Sequence, residues 1–140
     1  MKTMTIKKYY GLEYVTVVGI PLRKTQHGDV VDMDVRLIEK IVAKAIIQDK
    51  IPIRGIEFNF IRKMLGLSLG RIGADLGISA PAVLKWERAK KKRLDPINEV
   101  AVRALMAEKL GVKIPGKFSL LLGESKTPEK LTLNATEEAA

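Results

Sequence analysis

The sequence predicts a mainly α-helical protein with a small β part. It divides into an N-terminal strand–helix module (residues 1–50), a four-to-five-helix domain (53–112) and a C-terminal extension (113–140). Three observations predict this. β-branched residues cluster before residue 33, apolar residues recur at three- and four-residue spacing from 37 to 110, and 140 residues make about one domain with room for a second small module. Aromatics are 5% of the chain, so the core is expected to be aliphatic.

Tyr9 to Met33 read as strands. Tyr14-Val15-Thr16-Val17-Val18 is β-branched and apolar, Gly19 to Pro21 is expected to break it, and Gln26-His27-Gly28-Asp29 supplies turn chemistry before Val30-Val31. A helix follows, capped by Asp32 or Asp34, with Leu37, Ile38, Ile41, Val42, Ala45 and Ile46 as one apolar stripe. Proline disfavours helical geometry in the residue before it, so Lys50-Ile51-Pro52 ends that helix and marks a module boundary.

From Arg54 the pattern is helical. Ile56, Phe60, Ile61, Met64 and Leu65 line a first helix that stops at Gly66. Ser68 caps a second, which ends near Leu76 with Gly77-Ile78 as its turn, and Ser79 caps a third, Ala80 to about Arg88. Asp95-Pro96 opens a fourth that ends at Gly111, with Ile97, Val100, Ala101, Ala104, Leu105 and Leu110 as its apolar face. Phe118 to Leu122 forms one hydrophobic knot, and the polar tail beyond it is expected to be disordered. No internal repeat is visible.

Charge points to a partner. Lys and Arg number 25 against 16 acids, for a net charge of +9. Residues 1–50 hold nine bases and six acids, 51–113 thirteen and six, and 114–140 three and four, so the excess sits in the middle. Such an excess suits a polyanion, although many basic proteins bind none. With no cysteine and one histidine, His27, disulfides and a Cys/His zinc site within one chain are excluded. No apolar run approaches the ~18 residues of a membrane span, and Met1 to Lys8 lacks the apolar region of a signal peptide. The expectation is a soluble, cytoplasmic protein with no membrane contact.

Leu69 to Arg88 fits two helices joined by a tight turn and crossing at ~90–120°. Such a pair needs apolar residues inside the angle, here Ile72, Leu76, Ile78, Val83 and Trp86. It also needs a small residue at the crossing, Gly73, and a turn residue tolerant of left-handed geometry, Gly77. All seven positions are filled as a DNA-binding helix-turn-helix requires. The competing reading is an ordinary helical bundle, which would meet only two or three of them by chance.

Leu67-Ser68 through Gly77-Ile78-Ser79 to Lys85-Trp86-Glu87-Arg88 resembles the phage-repressor-like (XRE) helix-turn-helix family, whose fold is lambda-repressor-like. Arg54 to Ser68 is similar to the same region of MqsA/YgiT-type antitoxins, and a weaker likeness covers Tyr9 to Ile47. In zinc-binding relatives a cysteine-containing knuckle lies near residues 23–28. This chain has none, so neither a metal nor any other cofactor is implied.

The resemblance implies a recognition helix whose first turn faces base edges in the major groove. The outward residues there are Ala80, Pro81, Ala82 and Lys85, and the first three donate no side-chain hydrogen bond, a departure from the family. Ala82 or Pro81 fits a thymine methyl, and Lys85 fits either guanine O6/N7 or a phosphate. Ser68 and Ser79 read first as ordinary caps, with phosphate contacts at the adjoining N–H groups an added role. Leu69 replaces the glutamine that touches phosphate in relatives. Lys85, Arg88, Lys90, Lys91, Lys92 and Arg93 place six bases in nine residues beside the recognition helix, a phosphate-binding run or a solvated loop. Glu87 matches the family position that pairs with an arginine of the first helix, here Arg62, as a structural salt bridge. Trp86 reads as core before base stacking, and His27 receives no role.

An enzyme is not expected. Gly66, Gly70 and Gly73 build neither a dinucleotide fingerprint nor a P-loop, and no nucleophile–base cluster is visible. The expectation is a sequence-specific transcriptional regulator, an antitoxin-like autorepressor. It would bind an inverted-repeat operator in double-stranded DNA as a homodimer, through the 95–111 face or the 118–122 knot. The alternative is a protein-interaction module with little DNA specificity. Residues 1–50 are read as binding a partner protein, a toxin by the resemblance, or as a dimerisation or scaffold extension.

Overall fold

The computed structural model describes residues 2–140, except for the side chain of Phe118. The protein is mainly α-helical with a small four-stranded mixed sheet. It forms two compact units, one running from the N-terminus to Val42 together with Pro128–Ala140, the other Ala43–Thr127. The division therefore falls within a helix, upstream of the expected boundary at residues 50–53.

In the first unit, β1 (Thr3–Lys7) runs antiparallel to β2 (Val15–Thr25), which turns at Gln26-His27 into antiparallel β3 (Gly28–Val31). Met4 pairs with Ile20 and Ile6 with Val17, so β2 carries one residue more than β1 across this stretch. Gly19, at φ 67°, takes up the extra residue as a bulge. The buried phase consequently switches from Val15 and Val17 to Ile20. The break expected at Gly19–Pro21 is thus a bulge inside a continuous strand. Upstream, Lys8 and Tyr10 adopt positive φ just before and within a short 3₁₀ turn, Tyr9–Gly11, and β2 starts at Val15 and not at Tyr9.

The tail is ordered, which corrects the disorder expected from its polarity. β4 (Leu131–Asn134) pairs in parallel with the first half of β2 and buries Leu133, and α7 (Ala135–Ala139) follows. Asn134 Oδ1 accepts the N–H groups of Thr136 and Glu137, capping α7. A side chain at residue 19 would collide with Asn134, so the bulge glycine also makes room for the tail. Leu131-Thr132-Leu133 is too short an alternation to stand out as a strand; the open edge of β2 organises it.

α1 (Val35–Gln48) begins where Asp34 Oδ1 accepts the Arg36 N–H at 2.9 Å. Ile38, Ile41 and Val42 are buried, as are Ala45 and Ile46 further along, whereas Leu37 is exposed. At 3.6 residues per turn Leu37 lies ~100° from Ile38, off the buried line, and it leaves the expected stripe.

The second unit holds α2 (Gly55–Met64), α3 (Leu69–Leu76), α4 (Ala80–Arg88), α5 (Pro96–Leu110) and the short α6 (Phe118–Leu121). The buried face of α5 differs from the expected one. Val100, Val102, Met106, Ala107 and Leu110 are buried together with Glu99 and Arg103, while Ile97 is 74% exposed and Ala101 is exposed. Asp95 precedes α5 without a side-chain capping bond. Of the 118–122 knot, Leu120 is exposed and the Phe118 side chain lies outside the described residues.

Two buried charges on α5 account for that rotation. Arg103 donates to the Ile46, Ile47, Ile51 and Leu121 carbonyls, tying the last turn of α1, the segment after it and α6 to α5. Glu99 accepts from the N–H groups of Ile53 and Gly123, at 2.9 and 2.8 Å. These bonds bring residues 46–53 and 121–123 onto α5, which is why this unit extends beyond 53–112 on both sides.

Candidate nucleic-acid interface

α3 and α4 form the helical hairpin expected over 69–88. Ser68 Oγ accepts the Arg71 N–H at 3.0 Å and Ser79 Oγ accepts the Ala82 N–H at 3.3 Å, so both serines are N-caps. Gly77 closes α3 at φ 74°. Gly73 marks the close approach: a Cβ there would lie 2.7 Å from the Ile78 carbonyl oxygen. Ile72 and Val83 are fully buried inside the angle, and Leu76, Ile78 and Trp86 are partly buried. Trp86 meets Phe58 of α2 edge to face, with ring centroids 5.5 Å apart.

Arg62 and Glu87 join this hairpin to α2. Arg62 Nε donates to Glu87 Oε2 at 2.5 Å and Nη2 to Oε1 at 2.9 Å; Asn59 Nδ2 adds a third bond to Oε1 at 2.7 Å. The hydrogen bond to Glu87 raises the Arg62 pKa above its ordinary value, against the opposing effect of burial.

The basic run has a fixed backbone. The Lys92 carbonyl accepts the Gly55 N–H and the Lys90 carbonyl accepts the Ile56 N–H, both at the start of α2, while Leu94 N–H donates to Ile53 O. Orphan amides of α2 thereby hold the loop in place. Lys85, Arg88, Lys90, Lys91 and Lys92 are exposed along α4 and this loop. Pro81 is exposed on the first turn of α4, and Ala80 and Ala82 are partly buried.

Arg93 does not belong with them, which corrects its expected place in the basic surface. Its Nε donates to Glu99 Oε1 at 2.8 Å and its Nη2 to Glu99 Oε2 at 2.9 Å, with a further bond to Gly123 O at 3.1 Å. Burial pushes the Glu99 carboxyl up, but hydrogen bonds from Arg93, Ile53 N–H and Gly123 N–H outweigh it and hold the group below the usual carboxylate range. Arg103, at 4.0 Å from Glu99, is shifted down by burial, partly offset by Glu99. Nothing in a run of bases distinguishes the one whose partner lies six residues ahead on a helix that reads as apolar.

One cation was missed in the sequence. Arg71, on the first turn of α3, is exposed and lies 3.9 Å from Asp75, whose other oxygen holds Lys109 at 3.2 Å. Its position three residues after the Ser68 cap was the available signal. Among the described residues no group of three or more His, Cys, Asp or Glu is placed to hold a metal ion. Nor is any helix among them long and apolar enough to cross a membrane. No protein-family model, curated protein or solved structure matches the chain.

Proposed function

We propose that α2 to α5 form a helix-turn-helix DNA-binding domain of the XRE type and that the protein is a sequence-specific transcriptional regulator, an antitoxin-like autorepressor. The observation that carries this reading is the α3–α4 hairpin. Gly73 sits at its crossing, and α4 and the loop that follows it carry five exposed bases, with the loop backbone pinned to the start of α2. In this reading α4 enters the major groove, and Lys85 reaches a base edge or phosphate. Arg88, Lys90, Lys91 and Lys92 meet the phosphate backbone, joined by Arg71 and the N–H groups beside Ser68 and Ser79. Pro81, Ala80 and Ala82 offer only apolar contacts, so base selectivity rests on Lys85, thymine methyls and DNA shape.

A homodimer on an inverted repeat completes the proposal, with half-sites ~34–36 Å apart. Ile97 and Ala101, apolar and exposed on α5, are the contact we assign to it. Selection from a random duplex pool tests this. An enriched inverted repeat with half-sites about one helical turn apart is expected, and Lys85→Ala should cost ~1–3 kcal/mol more on that site than on random DNA. A pool that fails to enrich, or a chain that sediments as a monomer with and without DNA, argues against it.

A second reading concerns the N-terminal unit. β3 lies at the end of its sheet path with Val30 and Val31 exposed, and Val35 and Leu37 are exposed on α1. These open apolar positions favour protein binding by strand addition, with a toxin the partner class we propose. Capture of the product of an adjacent gene by the full chain, lost when Val30 and Val31 are replaced by lysine, tests it.

A further inference from the structure

A cavity of about 210 Å³ lies at the C-terminal end of α4, lined by Lys85, Trp86 and Ala89 and, from the loop that follows, by Lys92, Leu94 and Asp95. Arg93 also borders it, but Glu99 holds that guanidinium. Its lining is of two kinds. Trp86, Ala89 and the buried Leu94 are its apolar lining residues, and Lys85 and Lys92 are both exposed cations. Asp95 supplies one opposing carboxylate and makes no capping bond to α5.

Size and chemistry together select an occupant. A dry cavity of about 150 Å³ takes one benzene ring, so this one has room for a ring and a small substituent. Trp86 and Leu94 suit a planar apolar ring, and the two lysines suit a carboxylate on it. We propose that this cavity binds a small aromatic carboxylate and that its occupation opposes DNA binding. The second half rests on the DNA-binding reading: Lys85 and Lys92 serve both ligands, so a carboxylate on them removes two cations from the DNA surface.

Trp86 is the only tryptophan in the chain, so tryptophan emission comes from a residue that lines this cavity. Benzoate titrated into the full-length protein should change that emission saturably, with a dissociation constant on the order of millimolar for so small a ligand. Neutral benzamide, of the same shape, should bind about tenfold more weakly. Lys85→Ala and Lys92→Ala should each weaken benzoate about two- to fivefold, and Asp95→Asn should tighten it by a similar factor. Ala89→Leu, which fills the cavity, should abolish the response.

A random-sequence duplex at low salt should displace benzoate, and benzoate should weaken the duplex. No saturable response to benzoate, or equal responses to benzoate and benzamide, overturns the site. Variants that all respond alike overturn it too. Duplex binding is titrated separately so that the two readings fail apart. A protein that binds benzoate but no duplex keeps the site and loses the DNA reading. One that binds both without mutual displacement overturns the regulatory half.

Discussion

Arg93 and Glu99 form a two-point ion pair, Nε to Oε1 at 2.8 Å and Nη2 to Oε2 at 2.9 Å, with the Glu99 side chain fully buried. The last base of the run 85–93 is therefore part of the fold, and the bases before it are part of the surface. Glu99→Gln should destabilise the protein by about 3 kcal/mol, since it leaves two arginines facing a neutral amide. Arg93→Ala should cost less, about 2 kcal/mol, because that side chain is partly exposed. Lys90→Ala and Lys92→Ala should stay within about 0.5 kcal/mol of the parent. Urea unfolding followed by circular dichroism separates the two groups; equal losses at 92 and 93 would contradict this division.

The same carboxylate sets a pH dependence. Its folded-state pKa lies below the unfolded value, so its contribution is complete above the unfolded carboxylate range, about pH 4.3. That contribution is lost as pH falls through the folded value. Urea midpoints measured from about pH 6 downward should fall more steeply in the parent than in Glu99→Gln, which has no proton to take up there. Parallel curves would show that other carboxylates carry the acid sensitivity.

Two glycines three residues apart on α3 should respond in opposite directions. A Cβ at Gly73 would lie 2.7 Å from the Ile78 carbonyl oxygen, whereas one at Gly70 meets nothing within 4 Å. Gly73→Ala should destabilise by about 1–3 kcal/mol, because backbone must move. Gly70→Ala should stabilise by about 0.5–1 kcal/mol through helix propensity and a less flexible unfolded chain. Thermal midpoints of the two variants decide it, and a tolerated Gly73→Ala would mean that the helices cross less tightly.

The helices after residue 54 were legible because their punctuation is local. Ser68, Gly77, Ser79 and Gly111 each stop or start a helix through their own backbone or their own hydroxyl. The Arg62–Glu87 pair entered through the family resemblance. β1 and β4 were not legible, since each exists only by pairing with β2 across the chain. The face of α5 was misread for a related reason. Apolar periodicity scores Ile97 as buried and Glu99 and Arg103 as exposed, whereas carbonyls and amides from residues 46–53 and 121–123 draw the charged pair inward. At the candidate interface, residue type identified the basic run, but only tertiary structure removed Arg93 from it, whereas the place of Arg71 follows locally from the Ser68 cap three residues earlier.

In the proposed complex the exposed run ending at Lys92 meets DNA phosphates. The most direct measurement is the salt dependence of duplex affinity for the parent and for a Lys90→Ala, Lys91→Ala, Lys92→Ala variant. If each protomer neutralises about four phosphates, the parent's slope of log K against log[salt] should be roughly −7 for a dimer. Loss of up to three of these contacts per protomer should flatten it to between about −2 and −5, and weaken all sequences alike. A parent that binds duplex with the same slope and affinity as the variant would contradict a phosphate role for these lysines.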